Sequence, residues 1–403
     1  MILPSHSFTG LFFHHRIPGR RGGRLLCVLL GICICLCMIP GKAFAEPAAP
    51  PAVDARGAIL MDAASGRVLW ERDADKRLPM ASTTKIMTAL VALTYGDIDE
   101  TVLVKSNTTR IEGSSIWLEA GEKLTLLDLL YGLMLRSGND AAMTIAQAVG
   151  GDVDTFIGWM NETAVALGAK DTHFENPHGL AAEDHYTTAR DLAIITRAAL
   201  ENPVFREIAA CERKVIPWQG HAYDRAMRNK NRLLWELPGC TGVKIGYTKQ
   251  AGRCLSASAM RNGMELIAVV LDCYTYFDTC AALLEYGFDN YRICRLYREG
   301  TPVTSVDVRR GFGDRTVCLA GDEFAMALTD GEWGKLRTAL RCPRSIKAPV
   351  KPGQEVGTLD VYLGEERVGE IPLLTRDAVE QKTLGVLLRK IWELFSAPVW
   401  ETG

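Results

Sequence analysis

The chain has 403 residues, 48% of them hydrophobic and 23% charged, with a formal charge of −2. That is ordinary globular composition with room for two domains and a sizeable core. It excludes an intrinsically disordered chain and gives no basic surplus for a nucleic-acid partner.

Residues 1–45 read as a signal peptide. Arg16, Arg20, Arg21 and Arg24 precede an apolar run from Leu25 to Ile39, and Ala43-Phe44-Ala45 is a small-x-small cleavage signal before Glu46. About fifteen apolar residues are short for a bilayer span, so cleavage after Ala45 is expected over an uncleaved anchor. Five of the 46 basic residues and none of the 48 acidic ones fall in this segment, leaving 41 against 48, a formal −7. Of the 12 cysteines, Cys27, Cys33, Cys35 and Cys37 also lie there. The other eight run from Cys211 to Cys342 without C-x-x-C spacing, which argues against a zinc or redox site. Disulfide pairing and buried free thiols both stay open for them.

Residues 46–55, rich in Pro and Ala, read as a linker. Gly57–Asp62 and Arg67–Glu71 are short β-like runs around Ala63-Ala64-Ser65-Gly66, a hairpin signature. Ala81–Leu93 reads as a buried apolar helix containing Ser82 and Lys85. The amphipathic run Leu124–Leu135 leads to a turn, Ser137-Gly138-Asn139, where Gly138 is expected to supply flexibility, and then to a helix, Asp140–Val149. Further helical runs surround Phe156 and Leu192. Thr241–Thr248 is β-prone, and Cys254–Ala259 and Met264–Asp272 are joined across Asn262-Gly263, a type I′ turn signal. Strands at both ends with helices between them predict an α/β (α+β) domain over residues 56–290, one antiparallel sheet covered by helices. Asp278–Tyr286 looks helical and is expected to stop at Gly287.

From Tyr291 to Thr375 the pattern changes to short β-like runs, Val303–Val308, Thr316–Leu319, Phe324–Leu328 and Glu355–Leu363, which predict a small all-β domain over 291–375. In the last segment, 376–403, Leu384, Leu387, Leu388, Ile391, Leu394 and Phe395 recur at helical spacing, with Lys382, Arg389 and Lys390 outside the stripe and Trp392 and Trp400 suited to headgroup level. Such a basic amphipathic helix either lies in a membrane surface or docks on its own β domain.

Three clusters carry the chemistry. Ser82 and Lys85, three residues apart, share one helical face, and a lysine among Ile86, Met87, Ala89, Leu90 and Val91 loses solvation, which disfavours its ammonium form. A neutral amine in reach of a hydroxyl takes its proton and makes a nucleophile. Alone this spacing means little, because a chain of this length holds about one S-x-x-K by accident. Ser137-Gly138-Asn139 follows 55 residues after Ser82, and Lys244-Ile245-Gly246 comes 107 residues after Ser137. The helix-to-helix turn presents a hydroxyl and an amide to a cleft. Lys244 on a strand suits a substrate carboxylate and lowers the pKa of Lys85 by like-charge repulsion, while Gly246 allows close approach of backbone to ligand.

This ordered trio resembles that of the low-molecular-mass penicillin-binding D-alanyl-D-alanine carboxypeptidases. Matching stretches include Gly57–Asp62, Pro79–Lys85, Leu135–Ala141, Asn176-Pro177-His178-Gly179-Leu180 and His185–Leu192, and the similarity runs from about Arg56 to Phe288. The resemblance implies a β-lactamase/DD-peptidase-like fold, Ser82 as acylated nucleophile, Lys85 as its base, Ser137 as proton relay to the leaving group, and Asn139 and Lys244 as substrate-binding groups. It further implies peptidoglycan stem peptides as substrate, β-lactams as covalent inhibitors, no cofactor, and peripheral attachment through the C-terminal helix to the extracytoplasmic face of the bacterial cytoplasmic membrane. One residue departs from the family's third motif, K-T-G or K-S-G: Ile245 removes a hydroxyl that helps hold the substrate carboxylate. Lys244, Gly246 and Thr248 share a strand face, which makes Thr248 a substitute donor.

Rival readings are weaker. A class A β-lactamase needs a deacylating glutamate, and Glu175, the one tempting carboxylate, sits in a stretch that matches the carboxypeptidases. A binding protein without turnover is suggested only by Ile245. A zinc peptidase has little to work with: residues 46–403 hold four histidines, His173, His178, His185 and His221, and no H-E-x-x-H. His178 and His185 are expected to be structural.

Overall fold

The structure is a computed structural model, and it describes residues 49–396. The signal-peptide reading of 1–45 and Trp400 lie outside the described residues. The region up to Asn290 is built on a five-stranded antiparallel sheet in the order Val68–Arg72, Gly57–Asp62, Met264–Leu271, Gly252–Arg261, Cys240–Thr248. Both hairpins read from the sequence are present. Asn262 and Gly263 both take positive φ, 51° and 77°, as a type I′ turn requires.

Strand alternation divides the sheet between two cores. Ile59, Met61, Ile267 and Val269 face a large cluster with the helices Lys85–Tyr95, Leu126–Tyr131, Asn139–Val149, Val153–Leu167 and Ala189–Glu201. Ala58, Leu60, Leu266 and Ala268 face the other way, toward Leu283 and Leu284 of the helix Tyr276–Asn290. The central strand Met264–Leu271 is buried along its whole length.

Four details differ from the sequence reading. The segment before Gly57 is irregular as expected, yet Val53 and Ala55 are buried in the second core, so it is not a free linker. The last helix of this region does not stop at Gly287 but runs to Asn290. A Cβ at Gly287 would meet Leu266 Cδ1 at 2.4 Å and Leu60 Cδ2 at 3.1 Å, so this glycine sets how closely the helix lies on the sheet. The helix Pro203–Ala210 was not anticipated, although Asn202 caps it through Val204 N–H and Phe205 N–H and Pro203 opens it. Finally, residues 376–383 are not helical: Val379 pairs with Val350 and is buried beside Val308 and Ala348, and the terminal helix begins at Leu384.

After Asn290 the chain is β-rich. Arg292–Tyr297 pairs with Phe324–Leu328, and a six-stranded sheet follows the order Leu336–Arg341, Glu355–Leu363, Glu366–Thr375, Arg315–Ala320, Pro302–Arg309, Ser345–Lys347. The last pair is parallel and all others are antiparallel. No described helix is long and apolar enough to cross a membrane.

Candidate active site

Ser82 stands in a 3₁₀ turn, Ala81–Thr84, that runs directly into the helix Lys85–Tyr95, so the expected helix has a tighter first turn. Ala81 takes φ +48°, and Gly179 packs so close that a Cβ there would lie 2.0 Å from the Ala81 carbonyl oxygen. Threonines pin this turn: Thr83 Oγ1 donates to Met80 O at 2.6 Å, Thr84 Oγ1 to Ala81 O at 2.8 Å, and Thr88 Oγ1 to Pro177 O at 2.6 Å. His185 completes the support. Its Nδ1 accepts from Glu175 N–H, which leaves the proton on Nε2 to donate to Thr84 Oγ1 at 2.8 Å. Burial pushes His185 down to about 4, so it stays neutral at pH 7.

Lys85 is fully buried. Its Nζ lies 3.1 Å from Ser82 Oγ and 2.7 Å from Asn139 Oδ1, and it also donates to the His178 carbonyl. Burial, and then the charges of Lys244 and Lys230, hold its pKa well below 10.5. With the amine neutral, its two N–H groups go to Asn139 Oδ1 and the His178 carbonyl, which turns the lone pair toward Ser82 Oγ.

The Ser137-Gly138-Asn139 turn follows a π-helical turn, Gly132–Arg136. The left-handed residue is Ser137 (φ 63°), not Gly138, whose φ is −58°. Gly138 is needed for space instead, since a Cβ would meet Asp140 Oδ1 at 2.8 Å. The Ser137 hydroxyl is buried without a hydrogen-bond partner. Asn139 is held by its N–H to Ser114 O at 2.7 Å and its Nδ2 to Glu112 O at 2.5 Å. The adjacent Asp140 accepts from Ile116 N–H, Leu118 N–H and Ser115 Oγ, fixing the loop that faces the turn.

Lys244 lies on the edge strand but is 1% exposed, unlike an aggregation-blocking edge lysine. Burial and the charge of Lys230 push it down to about 7. At Gly246 the strand passes so near the nucleophile turn that a Cβ would lie 3.0 Å from both Ser82 N and Met80 O. Ile245 faces the opposite side and packs on the second core. Thr248 ends the strand paired with Gly252, its hydroxyl accepting from Ala251 N–H at 3.0 Å, and makes no hydrogen bond to the other site residues.

Thus Ser82, Lys85 and Asn139 touch, Ser137 shares the turn of Asn139, Lys244 acts on Lys85 through its charge, and Gly246 abuts Ser82. Sequence reasoning missed Lys230, whose Nζ donates to Ser114 Oγ at 3.0 Å and whose charge bears on both buried lysines. A single lysine between two asparagines carries no motif to reveal it. Among the described residues no cluster of His, Cys, Asp or Glu would hold a metal ion.

The family profile described as D-alanyl-D-alanine carboxypeptidase matches residues 44–275, and that of the C-terminal domain of penicillin-binding protein 5 matches 291–381. D-alanyl-D-alanine carboxypeptidase DacF of Bacillus subtilis is 32% identical over 91% of this chain and 97% of its own length. DacC of Escherichia coli is 36% identical over 85% and 88%. The crystal structure of penicillin-binding protein 5 from Haemophilus influenzae aligns with 83% of this chain and all of its own, at 28% identity and a TM-score of 0.70. With its sheet, its adjacent Ser82 and Lys85 and its appended β region, the chain belongs to the serine-type D-alanyl-D-alanine carboxypeptidase family of penicillin-binding proteins.

Proposed function

We propose that the enzyme removes the terminal D-Ala of peptidoglycan stem pentapeptides through an acyl-enzyme on Ser82. Neutral Lys85 takes the proton of Ser82 Oγ as it attacks the penultimate D-Ala carbonyl. The oxyanion is met by the Ser82 N–H and by the strand at Gly246. Ser137 passes a proton to the leaving D-Ala nitrogen, Asn139 holds the peptide, and protonated Lys244 binds the terminal carboxylate, with Thr248 supplying the hydroxyl that Ile245 lacks. Water then attacks the ester and releases the shortened peptide. β-Lactams acylate the same oxygen as their ring amide opens.

The observation that carries this reading is a buried Lys85 of strongly lowered pKa with its nitrogen 3.1 Å from Ser82 Oγ. The test is D-Ala released from a D-Ala-D-Ala-terminated pentapeptide by the native protein and by Ser82→Ala, with the penicillin adduct located by mass spectrometry. Native release, none from Ser82→Ala and an adduct on Ser82 are expected. Equal release by both, or an adduct on another residue, would refute the assignment.

We further propose that residues 1–45 direct export and that the helix Leu384–Ser396 rests on the outer surface of the cytoplasmic membrane. Support comes from its apolar side chains, which find no cover in the fold: Leu384, Trp392 and Phe395 are 72%, 73% and 82% exposed.

A further inference from the structure

In the six-stranded sheet, Leu336–Arg341 stands at one edge and Ser345–Lys347 at the other, yet only Cys342, Pro343 and Arg344 separate them in the chain. Six strands side by side span about 24 Å, well beyond the roughly 14 Å that the four extended steps from Arg341 to Ser345 can cover. The sheet therefore curls on itself, and Cys342 sits in the connector that closes it. Inside the curl lies Cys318, fully buried on the strand Arg315–Ala320 among Val306, Leu359, Val361 and Ile371; Cys342 packs against the same cluster. Cys342 Sγ points inward, 4.0 Å from Val356 O, so the connector thiol and the core thiol share this one cluster, and each bears on the other's ionisation. The neighbouring strand makes room, since a Cβ at Gly357 would fall 2.9 Å from Cys342 Cα and 2.3 Å from Arg341 O. Cys273 and Cys280, in the catalytic domain, are turned to Thr279 Oγ1 and Ala268 O instead. All eight described cysteines are free thiols in the structure.

We propose that Cys318 and Cys342 form a disulfide site, closed by a small-molecule or protein disulfide as oxidant, which locks the closing connector to the strand at the heart of the β domain. Burial pushes Cys318 up to about 11, so the half-exposed Cys342 reacts first. Its thiolate attacks the oxidant's disulfide and expels one thiol, then Cys318, losing its proton, attacks Sγ of Cys342 and expels the second. Two protons and two electrons pass to the oxidant, and one Sγ–Sγ bond forms. The bond closes a loop between positions 318 and 342, which restricts the unfolded chain. The proposal is independent of Ser82 chemistry, so its failure leaves D-Ala release untouched.

The test uses the full chain and its Cys318→Ser and Cys342→Ser variants, refolded from urea in a buffer of reduced and oxidised glutathione. Alkylation, non-reducing digestion and mass spectrometry follow. A Cys318–Cys342 peptide pair two hydrogens lighter than its parts is expected, with a urea midpoint about 1 M above that of the reduced protein. Both serine variants should lose that difference. Alkylation of both cysteines in the wild type, or linkage of Cys318 to any other cysteine, would overturn the proposal.

Discussion

The backbone nitrogen of Ser82 and the α-carbon of Gly246 face each other so closely that one added methyl at Gly246 would stand 3.0 Å from that nitrogen. The nucleophile and the edge strand are thus held as two lips of one slot, and the Ser82 N–H is available to an oxygen lodged between them. Gly246→Ala should fill the slot while leaving the strand pairing intact. A drop of roughly 100-fold or more in kcat/KM is expected, the usual effect of spoiling one oxyanion donor, with an unchanged circular-dichroism spectrum. A loss below about threefold would show that the oxyanion lies elsewhere.

Lys244 couples activity to stability with opposite signs. In the folded protein it titrates at about 7, in the unfolded chain at about 10.5. Between those values the unfolded chain holds a proton that the folded one lacks, so stability rises with pH across this window, and the burden of burying the charge is fully present below it. Lys244→Met should raise the free energy of unfolding at pH 6 by on the order of a few kcal/mol and lose that advantage by pH 10.5, while activity falls roughly 10- to 100-fold. In the wild type kcat/KM should decline above pH 7 as Lys244 loses its proton, and Lys244→Arg should move that limb upward. A methionine variant no more stable than wild type at pH 6 would contradict the account.

How much of this was visible in the chain alone follows from the range of each signal. Hairpins announced themselves because Asn262-Gly263 fixes a turn by local backbone preference, and Ser82, Lys85, Ser137, Asn139 and Lys244 stood out as candidates because the proposed chemistry needs those residue types in that order. Gly287 misled, because a glycine that ends a helix and one that lets a helix press on Leu266 look alike in sequence. Strands such as Glu366–Thr375, interrupted by Gly369 and Pro372, were hidden for the same reason: their pairing is decided by partners far along the chain. Lys230 acts by position and charge, which no local pattern encodes.

Thr248 offers a narrower test. Its hydroxyl accepts from Ala251 N–H, which leaves its own proton free for a substrate carboxylate, while Ile245 is committed to the opposite face. Thr248→Val should raise KM for a D-Ala-D-Ala peptide roughly 10-fold, in line with a lost hydrogen bond to a charged group, whereas Ile245→Val should change it by less than about twofold. Equal small effects in steady-state assays of the two variants would assign the carboxylate to Lys244 alone.

The terminal helix makes the last prediction. Leu387, Leu388 and Ile391 join Leu384, Trp392 and Phe395 in being largely exposed, while Arg389 and Lys390 pair with Glu380 at the helix's foot. Those ion pairs are solvent-exposed and hold the helix only weakly against the β region, so the apolar stripe is left uncovered, and under the proposed membrane attachment a lipid surface would cover it while anionic headgroups meet the basic residues. Co-sedimentation of the full chain with vesicles containing anionic phosphatidylglycerol should exceed that of a chain ending at Lys382, and Trp392→Glu with Ile391→Glu should release the protein without altering D-Ala release from a soluble peptide. Sedimentation unchanged by both alterations would mean that the stripe is covered by protein rather than lipid.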